Sequence, residues 1–172
     1  MCEDSWLPEL VCFEGYKGQW DVYLEEIHCI FSKDFIQSKP AFPNKSVRLK
    51  RHPEYDGKSA TFWHFITEGS REGSREADRT PDLRRCERIG WPRAIIDAFP
   101  SDMGKSDKIV WWKEDRHTSK GRSVRILLAL PDFSYVFILD ERDTYVLPWT
   151  AYRVEWETGR RKMKSRYQAY WR

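Results

Sequence analysis

The chain has 172 residues, enough for one domain with its own core. Aromatics make up 15 % of it, with nine Trp, and this excludes a disordered polymer. Lys and Arg number 30 against 27 Asp and Glu, so the whole chain is only mildly basic and its charge distribution says more.

The first residues, MCEDSWLPEL, lack the basic region and apolar run of a signal peptide. No segment reaches the roughly 20 apolar residues of a membrane span, so a cytoplasmic protein is expected. Met1–Glu14 carries four acids and no base. Cys2, Cys12, Cys29 and Cys86 show neither a CxxC pair nor zinc-ligand spacing. They read as reduced thiols, with Cys29 and Cys86 at apolar helix positions.

Trp20–Ile36 spaces Trp20, Tyr23, Leu24, Ile27, Ile30, Phe31 and Phe35 as one face of an amphipathic helix, ended by KPAFP at Lys39–Pro43. Val47–Arg51 is a short strand candidate, and Asp56-Gly57 marks a turn within Tyr55–Lys58. Ala60–Thr67, ATFWHFIT, fits a strand or a helix. Gly69–Glu76, GSREGSRE, is a direct repeat read as a solvated loop. From Asp82 a second helix is expected, with Thr80 or Asp82 as its cap and Pro81 in its first turn. Its apolar stripe is Leu83, Cys86 and Ile89. Pro92 should kink or restart it, with Ile95, Ile96 and Phe99 continuing the packing.

The period then changes. Lys108–Lys113, Val124–Leu130, Phe133–Leu139 and Thr144–Val154 read as strands. The Pro131-Asp132 and Asp140–Asp143 connections are short enough to require antiparallel neighbours. Phe133–Leu139 is nearly all apolar and is expected to be central. Pro148 points to an edge position or a bulge. The last segment reads as a helix with Met163, Tyr167, Tyr170 and Trp171 in a stripe. It is basic, with six Lys or Arg and no acid from Gly159 to Arg172. The expected fold is α+β: N-terminal helices, then a four-stranded antiparallel β-meander and a basic C-terminal helix. A single domain over 1–172 is expected, with an N-terminal helix and hairpin extension (1–58) and a core (60–172).

Chemistry concentrates in a few places. Arg79–Arg93 holds five arginines in fifteen residues. On a helix Arg84, Arg85 and Arg88 share a flank, and Glu87 alone cannot neutralise them. Their missing anion is either another part of the protein or a ligand, and phosphate matches the guanidinium fork. The histidines His28, His52, His64 and His117 are scattered, with no HxxxH or HExxH. No Walker or GxGxxG loop is present. An enzyme built on this chain is therefore expected to need no metal and no cofactor. His, Arg, Lys, Tyr and Thr suit metal-free RNA cleavage, in which the ribose 2′-hydroxyl is the nucleophile. His64, flanked by Trp63 and Phe65, is the candidate acid/base; burial there would lower its pKa and favour the neutral base. His117 lies in KEDRHTSKGR, read as a polar loop whose Lys113, Arg116, Lys120 and Arg122 suit a nucleic-acid strand. Thr150 and Tyr152 alternate to one face of the last strand. Arg125 interrupts the apolar VRILLAL, facing solvent or a cleft.

Three features together resemble the phage-associated branch of the nucleases that unite barnase, EndoU, the RNase colicins and RelE-type toxins. They are helices ahead of a four-stranded antiparallel sheet, an isolated His before that sheet, and a last strand reading TAYRV followed by a basic helix. The resemblance covers about residues 60–172. It implies a metal-independent ribonuclease, a toxin or phage-defence effector, with RNA as partner and an antitoxin or immunity protein as inhibitor. It gives His64 the acid/base role and Arg85 and Arg88 the phosphate, assisted by Lys113 or Arg125. It gives Thr150 and Tyr152 phosphate positioning or proton donation. The Trp20–Ile36 helix and following hairpin are extra to the minimal toxin core. No acid stands where barnase-like members place their base; Glu87 is the nearest. The alternative function is a non-catalytic module that binds nucleic acid or protein through the same basic and aromatic surface.

Overall fold

A computed structural model describes residues 6–68 and 79–172. The Gly69–Glu76 repeat and Cys2 lie outside the described residues. The chain forms two compact units, one of Met1–Pro40 with Leu49–Ala94 and one of Ala41–Arg48 with Ile95–Arg172. This division cuts across the expected 1–58 extension.

In the first unit α1 (Trp20–Ser32) follows the expected amphipathic pattern and continues as a single wide π turn, Lys33–Gln37. Tyr23, Leu24, Ile27, Phe31 and Phe35 are buried along it. Cys29 is exposed, because it lies off that stripe. The ambiguous ATFWHFI segment is a helix, α2 (Ala60–Ile66), started by Ser59, whose hydroxyl accepts from Phe62 N. All seven residues of α2 are buried, which is why its pattern carries no period. Phe62 and Phe65 pack on Phe31 at ring separations of 5.4 and 5.5 Å. The expected turn forms at Asp56-Gly57, both with positive φ, closing a Tyr55–Lys58 bridge. Asp82 caps α3 (Leu83–Glu87) through Arg84 N, and α4 (Trp91–Asp97) restarts the helix around Pro92.

The second unit is built on β2 (Val110–Thr118), β3 (Gly121–Ala129), β4 (Tyr135–Glu141) and β5 (Tyr145–Arg153), an antiparallel meander. The expectation of four strands needs one correction. A fifth strand, β1 (Ser46–Val47), pairs parallel with β5, giving a mixed sheet of order β1-β5-β4-β3-β2. β1 overlaps the Val47–Arg51 strand candidate only at Val47, and its pairing with a strand about a hundred positions away carries no local signal. The fold class remains α+β, and β4 is the middle strand as its apolar run predicts.

A second correction concerns Lys113–Arg122. It is a hairpin of paired strands, not a loop, with Thr118 opposite Gly121 and His117 opposite Arg122. The helix α5 (Glu157–Tyr170) lies on one face of the sheet, its Met163 and Tyr167 packing with Trp112, Leu127, Ala129, Phe133 and Val136. Trp111, Ile126, Leu128, Phe137, Leu139 and Val146 are buried on the opposite face.

Candidate functional site

Cross-strand partners share a face of a sheet, so register sorts the candidate residues of the second unit. Trp112 pairs with Leu127, Leu127 with Ile138, and Ile138 with Thr150; Tyr152 pairs with Val136. Counting in twos from Leu127 and Trp112 puts Arg125, Asp140, Glu114 and Arg116 on this same face. One half of the face is apolar and carries α5. The other half is polar, with Glu114, Arg116, Arg125, Asp140, Trp149 and Thr150.

The same count sends Lys113 and Arg122 to the opposite face. Lys113 Nζ donates to Glu141 at 2.9 Å, and Lys45 Nζ reaches the same carboxylate at 3.2 Å. Burial raises the pKa of Glu141, but the hydrogen bonds from Lys113 and Lys45 outweigh it and leave the group below its ordinary value. Arg122 pairs with Asp115 at 2.8 Å. The expected grouping of Lys113 and Arg122 with Thr150 and Tyr152 therefore does not form; Arg116 and Arg125 are the cations on that face.

Arg125 sits at the centre of the polar half. Its side chain is 13 % exposed, so it neither faces open solvent nor lies fully sealed. Its Nε is 3.6 Å from Asp140 Oδ1, its guanidinium lies 4.7 Å from the centroid of Trp149, and Arg142 donates to Asp140 Oδ2 at 2.6 Å. Burial first, then Arg116 and Arg142, push the Arg125 pKa down, opposed by Asp140. The guanidinium stays charged in any such setting. Glu114 is the cross-strand partner of Arg125 on β2 and Asp140 its partner on β4, so a carboxylate stands on each side of this guanidinium.

Trp149 arrives there through a β-bulge. Thr150 faces Ile138 while Pro148 faces Leu139, so Trp149 is the extra residue. A bulge re-aims a side chain, and here an indole comes beneath a guanidinium. Pro148 signalled the bulge in the sequence; nothing local signalled that Trp149 would stack on Arg125.

In the first unit His64 is buried in the last turn of α2, 9 % exposed. Three residues on, Thr67 ends the helix and receives two arginines. Arg85 Nη1 donates to Thr67 O at 2.8 Å, and Arg79 Nε donates to Thr67 Oγ1 at 2.6 Å. Cations at a helix C-terminus offset its negative dipole end. Asp82 N donates to Ile66 O, pinning the start of α3 to the same point. Arg85 Nε also lies 3.9 Å from Asp82.

Arg88 donates to Arg84 O at 3.0 Å, lies 3.7 Å from Glu87 and stacks 5.0 Å over Trp91. Arg93 donates to the carbonyls of Asp34 and Ser38. The arginine-rich segment thus finds much of its missing negative charge in backbone carbonyls. Structure brings His64, Arg79 and Arg85 around the end of α2, and it leaves Arg84 exposed. Cys86 is buried, and burial pushes its thiol up to about 12, which makes it inert.

Among the described residues no group of three or more His, Cys, Asp and Glu could hold a metal ion. Among them, no helix is long and apolar enough to cross a membrane. Comparison with protein-family models, curated proteins and solved structures finds no match for this chain.

Proposed function

We propose that the chain is a metal-independent ribonuclease whose phosphate site is the polar half of the sheet face carrying Thr150 and Tyr152. The observation that supports this most is the common face of Arg116, Arg125, Thr150 and Tyr152. Arg116, Arg125 and Thr150 of the polar half suit a phosphodiester, whose one negative charge is shared by two non-bridging oxygens, and Tyr152 lies on the same face beside the apolar cluster.

In this reading the 2′-oxygen of a ribose attacks phosphorus as its proton leaves to a base. The bond to the 5′-oxygen breaks, and an acid protonates that oxygen. The products are a 2′,3′-cyclic phosphate and a 5′-hydroxyl. Arg125 and Arg116 stabilise the charge on the phosphorane. Thr150 donates a hydrogen bond to a non-bridging oxygen. Tyr152, on the same face, is the group suited to proton transfer. Trp149 offers an aromatic surface beside the phosphate site. A toxin or defence effector acting on cytoplasmic RNA, held by an inhibitory protein, is the biological form of this activity.

The test is cleavage of end-labelled RNA in excess EDTA by the parent protein and by Tyr152→Phe. Products ending in a 2′,3′-cyclic phosphate, lost in the variant at an unchanged melting temperature, support the reading. Cleavage only after metal addition, or retention of intact RNA alone, overturns it. The second outcome would make the chain a binding module.

A further inference from the structure

The strongest charge on the second unit lies outside the phosphate site, on α5. From Glu157 to Arg172 there are six basic side chains and one acidic. The apolar stripe of α5 is spent on the sheet, through Met163 and Tyr167. Arg161, Lys162, Lys164, Arg166 and Arg172 are all exposed around the remaining arc.

The ion pairs of α5 are few. Arg161 meets Glu157 at 3.3 Å and Arg166 meets Glu114 at 3.4 Å. Lys162, Lys164 and Arg172 have no acidic partner among the described residues. Arg160 with Lys164, and Lys162 with Arg166, are like-charge pairs four residues apart. Each such pair destabilises a helix. An anion laid along the helix would remove that cost.

The chemistry of the anion is narrowed by Trp156. It precedes α5 and is 76 % exposed, the most exposed large hydrophobic side chain described. Tyr170, 41 % exposed, stands at the other end of the helix. The helix between them spans about 21 Å, the reach of a few stacked-out nucleotides. A positive groove flanked by open aromatic rings binds single strands, whose bases stack on the rings. A bilayer needs a free apolar face, and that of α5 is covered. An acidic protein would match the charge but gives no reason for so open an indole.

We infer that the outer arc of α5, with Trp156 as a base-stacking platform, is a track for single-stranded RNA. Arg166, on Glu114, joins this track to the polar half of the sheet face. The inference rests on the ribonuclease reading for its choice of RNA, and it extends the substrate contact beyond the cleaved phosphate.

The experiment measures binding of a fluorescent 12-nucleotide 2′-O-methyl RNA, which has no free 2′-hydroxyl and cannot be cut. Anisotropy is followed over a range of salt for the parent, Trp156→Ala and the Lys162→Ala/Lys164→Ala double variant. Trp156→Ala should weaken binding about tenfold with little change in salt slope. The double variant should make the slope of log K against log salt shallower by about 1.4. All these side chains are exposed, so circular dichroism and melting should match the parent. Unchanged affinity and slope in both variants overturns the track. Tighter binding of an acidic peptide than of RNA, or Trp156-independent binding of duplex, also overturns it. Failure of the ribonuclease reading looks different: unmodified RNA stays intact in EDTA while the variants still weaken binding.

Discussion

Arg125 and Asp140 face each other across β3 and β4 with Nε and Oδ1 3.6 Å apart, and neither atom has a hydrogen-bond partner. Both atoms are buried, and Asp140 is 3 % exposed. The pair is close enough for Coulomb attraction but too long for a hydrogen bond, so it holds charge in place without saturating it.

Asp140→Asn tests that balance. The substitution keeps shape and removes the charge that holds Arg125 and, at 2.6 Å, Arg142. Losing one partner of a buried pair costs about 3–5 kcal/mol. Arg142 is half exposed, which places the expected loss near the lower end, about 3 kcal/mol in urea unfolding. A loss below about 1 kcal/mol would show that solvent already screens the pair.

The two proton-transfer candidates separate by their effect on rate. Tyr152→Phe should lower EDTA-resistant cleavage by about 10²-fold or more, and His64→Ala in the same assay tests the acid/base role expected for that imidazole. The fold is checked by melting in parallel. A His64→Ala protein that melts lower yet cleaves at the parent rate would make His64 a core residue.

The arginine segment divides in the same way. Arg85→Ala removes a charge-assisted bond to the carbonyl that ends α2, at a cost of about 1.5–3 kcal/mol. Arg88→Ala removes the stack on Trp91 and should cost about 1 kcal/mol. Both losses should be read in chemical denaturation without RNA. An unchanged midpoint for Arg88→Ala would return that residue to the substrate side.

Glu141 sets an acid limit. Its folded pKa lies below the ordinary value of 4.5 because Lys113 and Lys45 hold the carboxylate. Between the folded and unfolded values the unfolded chain binds more protons, so stability rises with pH there. The contribution is complete above 4.5 and is lost as pH falls through the folded value. Glu141→Gln should flatten that part of a stability–pH curve measured from pH 2 to 6. A parallel curve for the variant would place the acid sensitivity elsewhere.

The thiols should sort by burial. In native protein iodoacetamide should label Cys12 and Cys29, which are exposed, and spare Cys86. Cys86 should react only in denaturant. Native labelling of Cys86 at a comparable rate would mean that α3 opens readily.

Local periodicity carried most of the fold. The stripe from Trp20 to Phe35 and the four strands were legible because burial on one face imposes a period of 3.6 or 2. Pro148 marked its bulge because proline cannot donate to a ladder. The end of β2 was hidden: Glu114–Thr118 is polar on both sides, and the Ser119-Lys120 turn lacks the usual Asn-Gly signal. α2 was ambiguous because every side of it is buried.

The candidate site was legible only in part. That Thr150 and Tyr152 point the same way follows from the sequence, since alternation along a strand is a property of the backbone itself. The basic character of α5 is equally a matter of composition. Which cations share a sheet face with the two hydroxyls follows from register. The turn at Ser119-Lys120 sets β2 against β3, and a one-residue slip there would exchange Arg116 for His117 on that face. Partners of the arginine segment were also decided in three dimensions, because backbone carbonyls attract guanidiniums as acids do and carry no mark in a sequence.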